Sequence, residues 1–408
     1  MDAHRGRDPR AHREGETLKQ VGASALLCCA LAYAVAARAT ERVWVEVATP
    51  AEGVAIRSPV PLVELRGWTG TGLRGDHDVL LVVDRSLSAW RPSGSDLDGD
   101  GKVGELRKLD RDAVAHPFWT TDAGDTIYRA EVIAAGELIE RLDPQTTRMG
   151  LITFAGGGRV RAPLGSSATD LARALRTLPS HAERGGTNFR VAIKRAIAEF
   201  ERVPGDKKRH RSLMLLSDGF PATGKSNQGE QVFVEVAARR AAQAGIRIYG
   251  FAIGKEAVER PYAFQTLTSI TGGELLLVEE PADVVQLIPY TSLTGIERIE
   301  IDNLSTATRA RSVRVFPDGS FDAYAPLHPG LNILRVTAHG EDGGIRVLDR
   351  RVHYVPLPAD TAERAAEAQR LLRELRVRTI EMELAERARA KRKQVRWREL
   401  DIRLEDSP

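Results

Sequence analysis

Val79-Leu80-Leu81-Val82-Val83-Asp84-Arg85-Ser86-Leu87-Ser88 is an apolar run of strand length that stops at a carboxylate and two hydroxyls on alternate positions. A continuous apolar run suits a strand buried on both faces, as in a parallel sheet covered by helices. The flanking sequence extends this reading. Strand-length runs at Met149–Phe154, Leu213–Leu216, Ile246–Ile253 and Glu274–Val278 alternate with amphipathic segments at Ile127–Leu142, Ala168–Leu178, Phe189–Phe200, Glu230–Ala244 and Ala263–Ile270. This alternation predicts an α/β fold, doubly wound around a mainly parallel sheet. Such sheets bind ligands in the crevice beyond the carboxyl ends of their strands, where Asp84, Ser86 and Ser88 are expected.

Two later segments bring more oxygens to the same edge. Thr187, in Gly185-Gly186-Thr187-Asn188, precedes a predicted helix, and Asp218 follows the strand ending at Ser217. Carboxylate and hydroxyl oxygens gathered in one place suit a hard divalent cation. Residues 76–290 resemble the von Willebrand factor A family. The family's metal-ion-dependent adhesion site combines an Asp-x-Ser-x-Ser motif, a later Thr and a later Asp. Asp84, Ser86, Ser88, Thr187 and Asp218 match those five positions in order. The resemblance implies binding rather than turnover. It implies Mg2+ or Mn2+ held by Ser86, Ser88 and one or more of Asp84, Thr187 and Asp218, directly or through water. A carboxylate offered by a protein ligand would complete the coordination. Leu87 stands where family members often carry Gly, which implies a less flexible loop.

The stretch between Ser88 and the first helix is unusually long, with an insertion over 91–124. Asp96, Asp98 and Asp100, then Gly101 and Val103, follow the spacing of an EF-hand-type calcium loop, with Lys102 offering its backbone carbonyl. Arg107 occupies the place of the expected final acid, and Glu105 is the acid available instead. The segment resembles the isolated loops of dockerins and thrombospondin repeats, which implies Ca2+ at 96–105. Gly219-Phe220-Pro221-Ala222-Thr223-Gly224-Lys225-Ser226 fits a phosphate-binding loop by spacing. Pro221 removes a backbone donor that such a loop needs, and Gly229 falls in the first turns of the next helix. An exported protein would also lack ATP. The nine histidines form no His-Glu-x-x-His pair, and no Gly-x-Ser-x-Gly elbow occurs. The chain therefore reads as a non-enzyme, with a P-loop ATPase or a chelatase-like partner as the remaining enzymatic alternative.

The flanks read as β structure. Residues 41–75 carry short strands around Val43–Val47 and Leu62–Leu65, punctuated by Pro50, Gly53 and Pro59. Residues 296–356 alternate around the turns Pro317-Asp318-Gly319-Ser320, Pro329-Gly330 and Asp342-Gly343-Gly344. Neither flank holds the roughly seven strands of a small sandwich. Together they do, so the α/β segment is expected to be inserted in a split β-sandwich. The flanks resemble the small immunoglobulin-like domains of bacterial surface proteins.

The termini carry their own signals. Arg5, Arg7, Arg10, Arg13 and Lys19 precede the uncharged stretch Val21–Ala37, and Ala37-Arg38-Ala39 resembles a cleavage site. This order predicts a signal peptide or membrane anchor over 1–39. The remainder would then be exported to the periplasm, cell surface or medium, or anchored in the inner membrane with the α/β domain outside the cytoplasm. Residues 359–408 are a charged amphipathic helix and tail. Ala365, Ala368, Leu372, Leu375, Met382 and Ala385 recur near helical spacing, so 359–394 would pack on the sandwich or meet a partner.

Composition narrows the classes. Of 408 residues, 42% are hydrophobic, which excludes wholesale disorder. A net charge of only +3 gives no case for nucleic acid. The two cysteines, Cys28 and Cys29, are adjacent, which excludes a disulfide scaffold and a cysteine zinc site. The function expected is divalent-cation-dependent protein–protein interaction or adhesion. The alternative is an assembly scaffold that the metal only stabilises.

Overall fold

The computed structural model describes residues 43–72, 74–106, 120–179, 183, 186–203, 209–219, 221, 227–288 and 291–358, together with 390 and part of 362–378. The signal or anchor segment over 1–39 lies outside the described residues. Among the described residues, no helix is long and apolar enough to cross a membrane.

Three strands lead: β1 (Trp44–Thr49), β2 (Val54–Ser58) and β3 (Leu62–Gly70). The α/β segment follows. It begins with β4 (His77–Asp84), α1 (Ile127–Arg141), β5 (Thr147–Phe154), β6 (Gly158–Ser166), α2 (Ala168–Arg176) and α3 (Phe189–Arg202). It continues with β7 (His210–Ser217), α4 (Asn227–Gln243), β8 (Ile246–Ile253), α5 (Lys255–Glu259), α6 (Tyr262–Thr271), β9 (Leu275–Val278) and α7 (Val284–Leu287). Six strands close the described β part: β10 (Ile296–Asn303), β11 (Thr308–Arg309), β12 (Arg311–Val315), β13 (Ser320–Pro326), β14 (Gly330–Gly340) and β15 (Ile345–Pro356).

The α/β sheet runs β6-β5-β4-β7-β8-β9. All neighbours are parallel except β6, which returns antiparallel beside β5. All eight residues of β4 are buried. Its side chains alternate between two cores, as a two-residue period requires. Val79, Leu81 and Val83 pack with Leu138, Leu171 and Val284 on one face. Leu80 and Val82 pack with Phe189, Ile193 and Phe264 on the other. This is the doubly wound, mainly parallel α/β arrangement expected for the segment.

The flanking strands interleave. One sheet has the order β1-β3-β13-β12 and the other β11-β10-β14-β15-β2. Strand β3 pairs antiparallel with β13, and β2 pairs parallel with β15, so strands from both sides of the α/β segment share each sheet. Leu65, Phe321, Ile301, Leu334, Val336 and Val352 fill the space between the sheets. Gly67 admits the Phe321 ring, because a Cβ there would lie 2.7 Å from it.

The two parts meet at the amino-terminal edge of the parallel sheet. Thr71 N donates to Thr294 O (3.0 Å) just before β4, and Asp143 N, past the end of α1, donates to Asp318 Oδ2 (3.2 Å). These contacts lie away from the opposite, carboxyl-terminal edge, where Asp84 and Ser217 end their strands. The described residues between 362 and 378 are helical. Arg378 lies 4.4 Å over the Tyr324 ring and bonds Glu64 Oε1 (2.8 Å) and Glu374 Oε1 (2.7 Å). This anchors the helix on the outer face of β3 and β13. The rest of the predicted C-terminal helix lies outside the described residues.

Candidate metal centre

Strand β4 ends at Asp84, whose carboxylate turns the chain. Oδ1 accepts from Ser86 N (2.7 Å), and Oδ2 accepts from Ser217 Oγ at the end of β7. The turn brings the two serine hydroxyls within 3.0 Å of each other. Thr187 Oγ1 donates to Ser86 Oγ (3.2 Å), and Ser88 Oγ donates to Asp218 Oδ1 (2.9 Å). Asp84, Ser86, Ser88, Thr187 and Asp218 thus form one continuous cluster, drawn from segments up to 134 residues apart, at the edge the sequence indicated. Asn188, not Thr187, caps α3, its side chain accepting from Val191 N (3.2 Å). The Thr187 hydroxyl is therefore left to the cluster.

Four of the five residues are buried, and Ser88 is half-buried. A fully buried third carboxyl group, Glu131 on α1, accepts from Asp84 N through Oε2 (3.2 Å). Among the described residues, Asp218 Oδ2 and Glu131 Oε1 are buried without a hydrogen-bond partner. Burial raises the pKa of all three carboxyl groups above the ordinary carboxylate range. For Asp218 the neighbouring Asp84 raises it further, and for Glu131 both aspartates do. Arg91, paired with Glu256 (2.7 Å), opposes the rise at Asp218. Buried carboxylates of this kind are stable with a counter-ion or as neutral acids. An unpartnered Asp218 oxygen in a cluster with three hydroxyls and the Asp84 carboxylate, with no sulfur or imidazole in the set, fits a hard divalent cation of the Mg2+ or Mn2+ type. Room is kept by Gly219, where a Cβ would stand 2.9 Å from Thr187 Oγ1 and 3.6 Å from Ser88 Oγ.

The insertion has its own acidic cluster. Asp96, Asp98 and Asp125 each place a carboxylate oxygen within 4.8 Å of the others. Asp100 and Glu105, selected by spacing, are outside that group. Asp100 Oδ1 accepts from Lys102 N (2.8 Å) and its Oδ2 meets Lys102 Nζ (3.5 Å). Glu105 is exposed and bridges by its backbone to Thr121 (2.8 Å). Asp125 is fully buried and accepts from Leu97 N (2.6 Å) and Gly104 N (3.1 Å), tying both ends of the Asp-rich loop together. In the P-loop-like stretch, Gly219 N donates to Ser217 Oγ (3.2 Å), so that donor is spent on the Asp84 network. Residues 220 and 222–226 of that stretch lie outside the described residues.

Glu131, Asp125 and Ser217 were not among the residues expected from sequence. Glu131 did leave a signal. It falls in the apolar stripe of α1, in register with Ile127, Ala134, Ala135 and Leu138, where an acid is out of place.

The family model described as the von Willebrand factor type A domain matches residues 131–283. The match contains Thr187 and Asp218 and begins after the Asp84–Ser88 loop and the insertion. Solved structures with a similar fold include the conserved hypothetical protein BatB from Bacteroides thetaiotaomicron (15% identity, 52% of this chain and 96% of that chain, TM-score 0.35). Proximal thread matrix protein 1 from the mussel byssus, with a zinc-occupied MIDAS motif, is another (13% identity, 53% of this chain and 47% of that chain, TM-score 0.37). A third is the SpRpn10 VWA domain (12% identity, 52% of this chain and 94% of that chain, TM-score 0.34). No curated protein matches the chain.

Proposed function

We propose, from the premise that this chain carries a von Willebrand factor type A domain, that it is a non-catalytic interaction protein whose ligand is captured through a divalent cation. The observation that supports this most directly is the joined oxygen cluster of Asp84, Ser86, Ser88, Thr187 and Asp218, with a buried, unpartnered Asp218 oxygen. A cation bound there would supply a Lewis-acid position for a ligand carboxylate. The chain's own contribution is pre-organisation. Asp84 fixes the serine loop through Ser86 N, Ser217 ties Asp84 to β7, and Gly219 keeps the approach open. The partner in this reading is a protein segment bearing Asp or Glu. The chain acts outside the cytoplasm, delivered by the basic and apolar residues of 1–39.

The test is calorimetric titration with Mn2+ and Mg2+, alongside capture of Asp- and Glu-containing peptides with Mg2+ or EDTA. Binding of cation and peptide is expected in the wild type and is lost in Asp84→Ala. Peptide capture that survives both EDTA and Asp84→Ala overturns the reading. The burial of Asp84 and Asp218 also favours a second role, in which the cation stabilises an interaction scaffold. Under that reading Mg2+ raises the melting temperature while peptide capture is the same with and without it.

A further inference from the structure

We propose that Glu131 is a third carboxylate of the cation site, a positioning residue that holds Asp84 from the helix side and adds negative charge beneath the cluster. The inference rests on reading the Asp84 cluster as a cation site.

Three observations carry it. Glu131 is fully buried on a helix face otherwise occupied by Ile127, Ala134, Ala135 and Leu138. A glutamate is rarely buried completely unless an opposite charge meets it. Among the described residues, no basic side chain forms an ion pair with it. Its Oε2 accepts from Asp84 N at 3.2 Å, which places the group against the first residue of the cluster. Its Oε1 is buried with no hydrogen-bond partner among the described residues, as is Asp218 Oδ2.

A hydrogen-bond acceptor for Asp84 N alone would not call for a charge, since the neutral amide of glutamine accepts equally well. The carboxylate instead suits a site that must attract a dication into surroundings of low dielectric, where each added negative charge counts strongly. Carboxylates behind the direct ligands of a metal commonly orient those ligands and raise affinity.

Glu131→Gln separates charge from shape. The test is Mn2+ titration by calorimetry on the full chain, with melting of the metal-free protein as the second readout. The wild type binds Mn2+. The variant is expected to bind about 10- to 100-fold more weakly, with a metal-free melting temperature no lower than wild type. Unchanged Mn2+ affinity in the variant overturns the role of Glu131 while leaving the cation site standing. A weaker affinity that falls together with the metal-free melting temperature also overturns it, by assigning Glu131 to packing alone. A wild type that takes no Mn2+ overturns the cation site itself, and this inference with it.

Discussion

Gly219 sets the room available at the oxygen cluster. Its backbone is not in the left-handed region, so what glycine provides there is space rather than conformational freedom. Gly219→Ala places a methyl 2.9 Å from Thr187 Oγ1, inside van der Waals contact. The expected outcome is weaker Mn2+ binding by calorimetry, with a melting temperature close to wild type. At the other end of β4, His77 is buried against His210, with ring centroids 5.3 Å apart. Burial first, then the charges of His210 and Arg209, push its pKa down to about 4. Above its ordinary pKa of 6.5 the imidazole is neutral in both folded and unfolded chains. Below that value the unfolded chain takes up a proton that the folded chain refuses. Stability is therefore lost as pH falls from about 6.5 to about 4, by about 3 kcal/mol over the full interval. Urea midpoints measured across that range should fall more steeply for wild type than for His77→Gln, and parallel curves would contradict the assignment.

At the scale of elements, the Asp125 side chain joins the two ends of the Asp-rich loop in the insertion between β4 and α1. Leu97 N and Gly104 N both donate to the Asp125 carboxylate, and Asp125→Ala leaves the two N–H groups without their acceptor. A cost of about 1–3 kcal/mol per unsatisfied buried group is enough to loosen the loop. Faster proteolysis within 91–124 is the expected outcome. The calcium reading is tested in the same assay. Ca2+ should slow cleavage of the wild type but not of Asp98→Asn, and equal rates with and without Ca2+ would sink it. Strand β4 was legible because an uninterrupted apolar run has few other uses. Strand β6 was not, because Gly158, Arg159, Arg161 and Pro163 read as a loop. An edge strand with one side free tolerates such residues, and among the described residues β6 pairs only with β5. Strand β2 was missed for a related reason: it has five residues, none of them buried.

At the scale of the whole molecule, the site and the sandwich occupy opposite edges of the parallel sheet and draw on separate cores. Leu65 in β3 is fully buried in the sandwich core. Leu65→Ala is expected to destabilise that part by about 2–5 kcal/mol. Calorimetric melting should show one transition lowered, while Mn2+ affinity is unchanged. A loss of Mn2+ affinity would mean that the two parts are energetically one. The sandwich also receives the C-terminal helix through Arg378, whose partners Glu64 and Asp322 come from strands on either side of the α/β segment. At least one face of that helix is therefore used within the chain.

The sequence alone determined the α/β alternation, the two flanking sets of strands and the five residues of the oxygen cluster. Apolar periodicity and turn residues act over a few positions, and the Asp-x-Ser-x-Ser spacing is local. Only the tertiary structure decided which flank strands pair, that Asp125 joins Asp96 and Asp98, and that Glu131 lies beneath Asp84. The pairings across the α/β segment and the carboxylate contacts join residues 27 to 298 positions apart, and no local period encodes them. They arise from burial of shared faces, and in the case of Glu131 from a buried charge whose meaning appears only beside Asp84 and Asp218.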